Sequence, residues 1–503
     1  MLGLTLSAQR IAFQVPHLTC NRSDETTRLQ QFRQLLPSER SQISGYLTGG
    51  QLMGDATVEG YIVALKRGAR MLELDCHNGG SDREPVITHG HTLVRPMPVS
   101  EAVRAINEYA FVASPYPLVL SVENHVDDVS QQRKMAQIFM EIFGERIYLR
   151  TADDEQELKI SPEKLKGRIL IEVEDKTTMM ADAKKQFFGS IAELKSSKQI
   201  VEFPDLIGLE SVKVTDIASD VRKHPANSIT SMSEAQIEGK KSEDRKQFID
   251  YAHAHLTRIY PYALRQDSSN LNPVLPWVAG CQFVALNMQQ SDTETDLNDG
   301  FFQINGGCGV VLKPKVLREG VDPQISPLFQ QDRLRVTIQV ISGQFLPKPG
   351  PSAVSSIIDP YVSITTHGLP QDCFKFKTEI IENNGLNPCW EETKIFHLNA
   401  PELTLLRFVV KDHDRHGRND FIGEYTVPVT SVRQGYSHIR LRTGFSHTTD
   451  HIATLFVHVS LTDISQETEA VPLFKRAEND SGLNEGNLAK QPGEDQLVLK
   501  RFE

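Results

Sequence analysis

The chain has 503 residues, 39% of them hydrophobic and 24% charged, and a formal net charge of −11. It is too long for a single hydrophobic core, so two or three domains are expected. The acidic balance excludes a general nucleic-acid binder, which needs Lys and Arg to neutralise phosphates.

In chain order, residues 1–40 show no period and no charge block and stay unassigned; the start Met1-Leu-Gly lacks the basic region and apolar core of a signal peptide. From Val58 to about Arg150 short apolar runs alternate with helical patterns such as 58–66 and 131–143. That β-α rhythm implies a parallel sheet. Three of the runs carry polar residues at their tips: Arg70-Met-Leu-Glu-Leu-Asp75, Pro85-Val-Ile-Thr-His89 and Leu118-Val-Leu-Ser-Val-Glu123. Buried parallel strands read this way, and a (β/α)-barrel gathers its active site at their C-terminal ends. Glu73, Asp75 and Glu123 are hard oxygen donors of the kind Ca²⁺ takes, and His89 can pass a proton to a phosphoryl oxygen. The pattern predicts a metal-assisted phosphodiester site.

A further strand is expected at 168–173, followed by a polar, Lys-rich connection, and barrel-like runs resume at 206–209, 255–260 and 281–287. Runs at 333–340, 361–365, 405–412 and 453–460, separated by Gly, Pro and Asn turns, predict an all-β sandwich. The reading divides the chain into 1–40 unassigned, 41–174 and 199–318 as two halves of one barrel split by a linker at 175–198, a short linker at 319–332, the sandwich at 333–463, and a disordered tail at 464–503. Six sparse cysteines with no CxxC pair argue for free thiols in a reducing compartment, against a disulfide frame and against zinc. No stretch reaches the ~18 apolar residues of a membrane span, so the chain is read as cytoplasmic.

With these residues in view, the chain resembles the phosphoinositide-specific phospholipase C family, in a delta- or zeta-like layout. The resemblance covers roughly residues 45–463 and rests on ELDC at 73–76, HGHTL at 89–93, LSVENH at 120–125, RIYP at 258–261, RQDSSN at 265–270, GCQFVALN at 280–287 and NNGLNPCW at 383–390. It implies a barrel split into X and Y halves and followed by a C2 domain, with no room for the family's lipid-binding and EF-hand domains ahead of the barrel. The implied activity is Ca²⁺-dependent cleavage of phosphatidylinositol phosphates to diacylglycerol and an inositol phosphate, with the inositol 2-hydroxyl as nucleophile. His89 then matches a catalytic histidine, and Glu73, Asp75 and Glu123 match Ca²⁺ ligands. Ser231, Arg258 and Tyr260 match inositol and phosphate contacts, and Leu52, Leu93 and Leu264 an apolar rim that dips into the bilayer. Asp359, Asn383, Asp412 and Asp414 match C2 loops that converge on Ca²⁺ and bridge it to anionic lipid.

Four positions depart from the family pattern. Where the resemblance implies a first catalytic histidine and an adjacent Ca²⁺-binding asparagine, the chain has Ile43 and Ser44; where it implies two lysines for the 4- and 5-phosphates, it has Glu172 and Glu174. Ile43 cannot move a proton, and two carboxylates repel a polyanionic headgroup that lysines would attract. The expectation is a family member with strongly reduced or no activity, or a non-catalytic scaffold that binds a phosphoinositide-containing membrane, or proteins, through its C2 domain and barrel. A mis-joined first exon would account for Ile43 but not for the two glutamates. His77, His91 and His125 match no family role and read as surface or outlying histidines. Cys76 has no basic partner and reads as a core residue, and Gly306-Gly-Cys-Gly309 as a turn between strands.

Overall fold

The computed structural model describes residues 7–9, 11–13, 58–80, 84–88, 96–150, 161–175, 203–225, 227–238, 242–262, 265, 269–288, 291–349, 357–414, 419–444 and 448–465. Ile43, Ser44, Leu52, His89, His91, Leu93 and Leu264 lie outside these residues, as does most of the 175–198 connection. The chain divides into two compact units, one made mainly of residues up to Pro323 and the other mainly of residues from Gln324 onward.

The first unit is a barrel. The short strands β1 (Ser7–Gln9) and β2 (Ile11–Phe13) open the chain and are followed by β3 (Met71–His77), β4 (Val86–Ile87) and β5 (Met97–Pro98). Next come β6 (Leu118–His125), β7 (Ile169–Asp175), β8 (Glu210–Ser211), β9 (Ser228–Ser233) and β10 (Leu256–Tyr260). The series ends with β11 (Phe283–Val284), β12 (Leu286–Asn287) and β13 (Val310–Leu312). Strands β3, β6 and β7 run parallel, as do β8, β9, β10 and β11, and a parallel bridge from Glu172 to Leu209 joins the two groups. The ring is completed by the N-terminal strands: β1 pairs antiparallel with both β3 and β12, and β2 lies between β11 and β13. Sequence reasoning leaves this N-terminal segment unassigned, because two three-residue strands are too short to show a period.

Two runs differ from the sequence reading. The 85–89 run is not a parallel barrel strand; Val86–Ile87 forms a hairpin arm that pairs antiparallel with the tip of β3, Cys76 opposite Ile87. Of the 206–209 run, Leu206 closes a 3₁₀ turn over Phe203–Leu206 and only Leu209 enters the sheet. Both are short apolar segments, whose type is settled by the backbone partners that happen to be within reach.

The helices cover the outer face of the sheet. Val99–Tyr109 buries Val99, Ala102, Val103 and Ile106, the i, i+3, i+4, i+7 stripe of an amphipathic helix. Val129–Phe143 starts at Asp128, whose carboxylate accepts from the amides of Ser130 at 2.7 Å and Gln131 at 3.2 Å, and stops at Gly144, which takes a positive φ. Inside the barrel, Met71, Val119, Leu170, Ile229, Leu256 and Phe283 form an apolar plug, each contributing about 1.5–3 kcal/mol if fully withdrawn from water. At Gly309 the φ is +75° and an added Cβ would meet the Gly68 carbonyl at 2.2 Å, so the turn that leads into β13 requires glycine.

The second unit is an eight-stranded antiparallel sheet curled into a sandwich. Its strands are β14 (Leu334–Gln344), β15 (Pro360–His367), β16 (Lys375–Lys377), β17 (Cys389–Leu398), β18 (Leu405–Asp412), β19 (Asp420–Pro428), β20 (Gly435–Thr443) and β21 (Thr448–Asp463). Alternate residues of β14, Val336, Ile338 and Val340, are fully buried, the period-2 signal legible in the sequence. A register shift between Val340 and Ser342 marks a bulge in the same strand.

Candidate active site at the barrel mouth

Strand register stacks the inward-facing side chains in layers above the apolar plug. The first polar layer holds Glu73, Ser121 and Glu172, adjacent across β3, β6 and β7, with Ser231 and Arg258 paired across β9 and β10. One layer higher, Asp75, Glu123 and Glu174 occupy successive register positions, and Ser233 and Tyr260 another pair. His77 and His125 pair at the strand tips. The layering follows from the pleat: residues two apart share a face, so Glu-Leu-Asp-Cys-His sends Glu73, Asp75 and His77 inward and buries Leu74 and Cys76 outward.

Arg258 is 3% exposed and ion-pairs with Glu73 through Nη2, while its Nη1 lies 3.5 Å from Ser231 Oγ and its guanidinium 5.9 Å from the centre of the Tyr260 ring. The structure therefore brings the expected substrate contacts Ser231, Arg258 and Tyr260 together, but with the guanidinium already engaged by a carboxylate. Glu172 is fully buried and accepts a hydrogen bond from Ser121 Oγ at 2.5 Å. Among these inward positions stand the carboxylates Glu73, Asp75, Glu123 and Glu172, with Arg258 as the cation. The balance is strongly anionic where a polyphosphorylated ligand would need positive charge.

Asp75 is met by imidazoles. His77 Nε2 lies 2.9 Å from Asp75 Oδ1, His125 Nε2 lies 3.3 Å from the same oxygen and 3.6 Å from Glu123 Oε2, and the two rings stack with centroids 4.5 Å apart. Sequence alone makes these histidines outlying; the signal for their place above the carboxylates is the matching spacing of Asp75-x-His77 and Glu123-x-His125 on neighbouring strands. Cys76 faces the other way and is fully buried, and burial pushes its thiol well above the ordinary range, in keeping with a core residue.

Calcium takes six to eight oxygen ligands. Asp75 and Glu123 sit side by side and suit a hard cation, while Glu73 is turned to Arg258 and imidazole nitrogens of His77 and His125 stand against the pair. Among the described residues the mouth therefore offers only part of a calcium shell.

In the sandwich, the loops at one end bring together the residues expected there. The Asp359 amide donates to Asp412 Oδ1 and the Asn383 amide to Asp359 Oδ1, each at 2.7 Å, and the Asp414 amide donates to Asn419 Oδ1 at 3.2 Å. Burial, followed by repulsion from Asp414, Asp359 and Asp420, raises the carboxyl of Asp412 above its usual range. Asp420 does not stand out in the sequence; only its position at the head of β19 puts it beside the others. The mutual repulsion is what a divalent cation would relieve, so these carboxylates fit Ca²⁺.

A split (β/α)-barrel with charged side chains at its strand C-termini, followed by an antiparallel C2 sandwich, is the class of protein these elements define. Family models match accordingly: phosphatidylinositol-specific phospholipase C X domain over residues 39–175, its Y domain over 205–316, and a C2 domain over 334–442. The chain belongs to the phosphoinositide-specific phospholipase C family. It is 39% identical over 442 residues to the Mus musculus 1-phosphatidylinositol 4,5-bisphosphate phosphodiesterase delta-3, covering 83% of this chain and 55% of that one. It is 37% identical over 446 residues to the Homo sapiens inactive phospholipase C-like protein 1, covering 84% of this chain and 40% of that one. The crystal structure of S. officinalis PLC21 superposes with a TM-score of 0.71 at 32% identity, over 92% of this chain and 56% of that one. The chain thus spans about half the length of such relatives, which include both a named phosphodiesterase and a named inactive protein.

Proposed function

We propose that this chain has strongly reduced or no phospholipase C activity and serves as a membrane-docking member of its family. The observation that carries the reading is Glu172, buried in the layer of Glu73 and Arg258 at a position where the family resemblance implies a phosphate-binding lysine. Glu174 stands two residues further on, at the register position opposite Glu123. Replacing two charge-assisted hydrogen bonds, worth roughly 1.5–3 kcal/mol apiece, by two repulsive pairs costs several kcal/mol of headgroup binding. Ile43 removes one positioned acid-base group, worth about 10²–10⁴ in rate. The Glu73 carboxylate also competes with a phosphate for the Arg258 guanidinium. Unphosphorylated phosphatidylinositol is penalised less, because the glutamates would then face hydroxyls.

His89, within HGHTL, is the acid-base residue that remains for any residual cleavage, and Leu52, Leu93 and Leu264 would form the apolar rim against lipid. Calcium would be held weakly at the barrel by Asp75 and Glu123, and at the C2 loops by Asp359, Asn383, Asp412 and Asp414, where it can bridge to anionic lipid. No described helix is long and apolar enough to cross a membrane. The reading is of a cytoplasmic chain that associates peripherally with phosphoinositide-bearing surfaces.

The test is turnover of phosphatidylinositol and of its 4,5-bisphosphate in mixed micelles at micromolar Ca²⁺, beside vesicle sedimentation with and without Ca²⁺. The expected result is Ca²⁺-dependent sedimentation with bisphosphate turnover at or near background. Robust bisphosphate hydrolysis would overturn the reading.

A further inference from the structure

The barrel mouth carries two matching short motifs, Asp75-Cys-His77 at the end of β3 and Glu123-Asn-His125 at the end of β6. The strands are parallel and adjacent, with Asp75 opposite Glu123 and His77 opposite His125, so the pleat sends all four side chains to one face. The donor atoms of Asp75, His77 and His125 lie within 4.8 Å of one another. We propose that this cluster is a site for a transition-metal dication of the zinc type, held by His77, His125 and Asp75 with Glu123 closing the fourth position.

Three observations carry the proposal. Tetrahedral ligands at about 2.1 Å from a common ion stand about 3.4 Å apart, and the contacts here, 2.9 Å from His77 Nε2 and 3.3 Å from His125 Nε2 to Asp75 Oδ1, are close to that edge. Asp75 Oδ1 and His77 Nε2 are buried atoms that complete no hydrogen bond although they stand 2.9 Å apart, so a bound cation would satisfy both. The loops behind the histidines are tied together: the Gly79 amide donates to Gln131 Oε1 at 2.7 Å and the Asp128 amide to Asn78 Oδ1 at 3.3 Å, which holds one strand tip against the other before any ion arrives. Both imidazoles keep partial exposure, 25% and 30%, leaving a path for entry.

Imidazole nitrogen favours zinc-like ions, whereas Ca²⁺ takes oxygens. The cysteine spacing rules out a thiolate zinc finger, and the donors here are imidazole and carboxylate instead. The inference rests on the donor geometry and not on the loss of lipase activity; zinc would occupy the two carboxylates that otherwise hold Ca²⁺ weakly, so the titration reads metal binding directly and without a turnover assay.

The experiment is a competition titration of the chelator-stripped full chain with zinc and a chromogenic zinc dye, in the presence of millimolar Ca²⁺. One equivalent of submicromolar zinc is expected, and His77→Phe and His125→Phe should each weaken it at least 30-fold. Cys389→Ser, which alters an exposed thiol away from the cluster, should leave it unchanged. Cobalt substituted at the site should give the visible absorption of a four-coordinate ion without thiolate charge transfer. Circular dichroism of the histidine variants establishes that they fold; if one does not, His77→Gln and His125→Gln take its place. Zinc binding that survives loss of either histidine, that Ca²⁺ displaces at comparable concentration, or that falls well short of one equivalent would overturn the proposal.

Discussion

Breaking the Glu73–Arg258 ion pair in either direction should destabilise the barrel, and unequally. The guanidinium is 3% exposed and the carboxylate 12%, so removal of one partner leaves the other charged in a poorly hydrated layer, which costs about 3–5 kcal/mol. Arg258→Met is the worse single change, because Arg258 is the cation among Glu73, Asp75, Glu123 and Glu172. Glu73→Gln leaves the arginine with Glu172 in the same layer and should cost less, about 1–3 kcal/mol. The double variant removes both charges and should recover much of the loss, for a coupling of at least about 1 kcal/mol, where independent sites add to within about 0.5 kcal/mol. For a domain of 150–250 residues 1 kcal/mol moves the melting temperature by roughly 2–4 °C, and for a larger domain by less, so a 3 kcal/mol loss lowers the barrel transition by at most about 6–12 °C. Differential scanning calorimetry on the four proteins reads these shifts. Additive singles, or an Arg258→Met variant no less stable than Glu73→Gln, would refute the view that this pair is a closed internal contact and would return Arg258 to the ligand.

Lys313 is buried, donates to the Ala252 carbonyl at 3.1 Å, and is pushed down to about 7 by burial. Because the unfolded chain holds that proton up to the ordinary lysine range, the burial cost is fully present below pH 7 and is relieved as pH rises from there towards 10. Lys313→Met should therefore stabilise the barrel most at pH 6–7, by up to about 5 kcal/mol and with the highest rise in melting temperature there, with a gain that shrinks at pH 10; a gain independent of pH would contradict the assignment. Gly309→Ala should cost at least about 2 kcal/mol by thermal melting, since a positive φ and a blocking Gly68 carbonyl act together, and an unchanged melting temperature would count against the turn geometry. Asp412→Asn should raise the melting temperature of the sandwich in EDTA by removing one of several repelling carboxylates, and abolish most of the stabilisation given by added Ca²⁺. A variant still stabilised by Ca²⁺ as much as the parent would remove Asp412 from the proposed C2 site.

The class of each large element was open to reading because burial dictates period. The runs ending at Asp75 and Glu123 are apolar on both faces of a parallel strand, Val336, Ile338 and Val340 alternate on one face of an antiparallel one, and Val99 to Ile106 repeat at helical spacing. The chemistry of the mouth was partly legible for the same reason: side chains two apart share a face, so Glu73 and Asp75 had to point together. Sequence could not say which strands would be neighbours or what would oppose each carboxylate. Arg258 is 185 residues from Glu73, yet the barrel closes them into one ion pair, and His77 reaches His125 only because β3 lies in register beside β6. Alternation along a strand is a local property carried by each segment on its own. Pairing across strands depends on the path of the whole chain, and that pairing turned a set of plausible calcium ligands into an anionic, histidine-capped mouth.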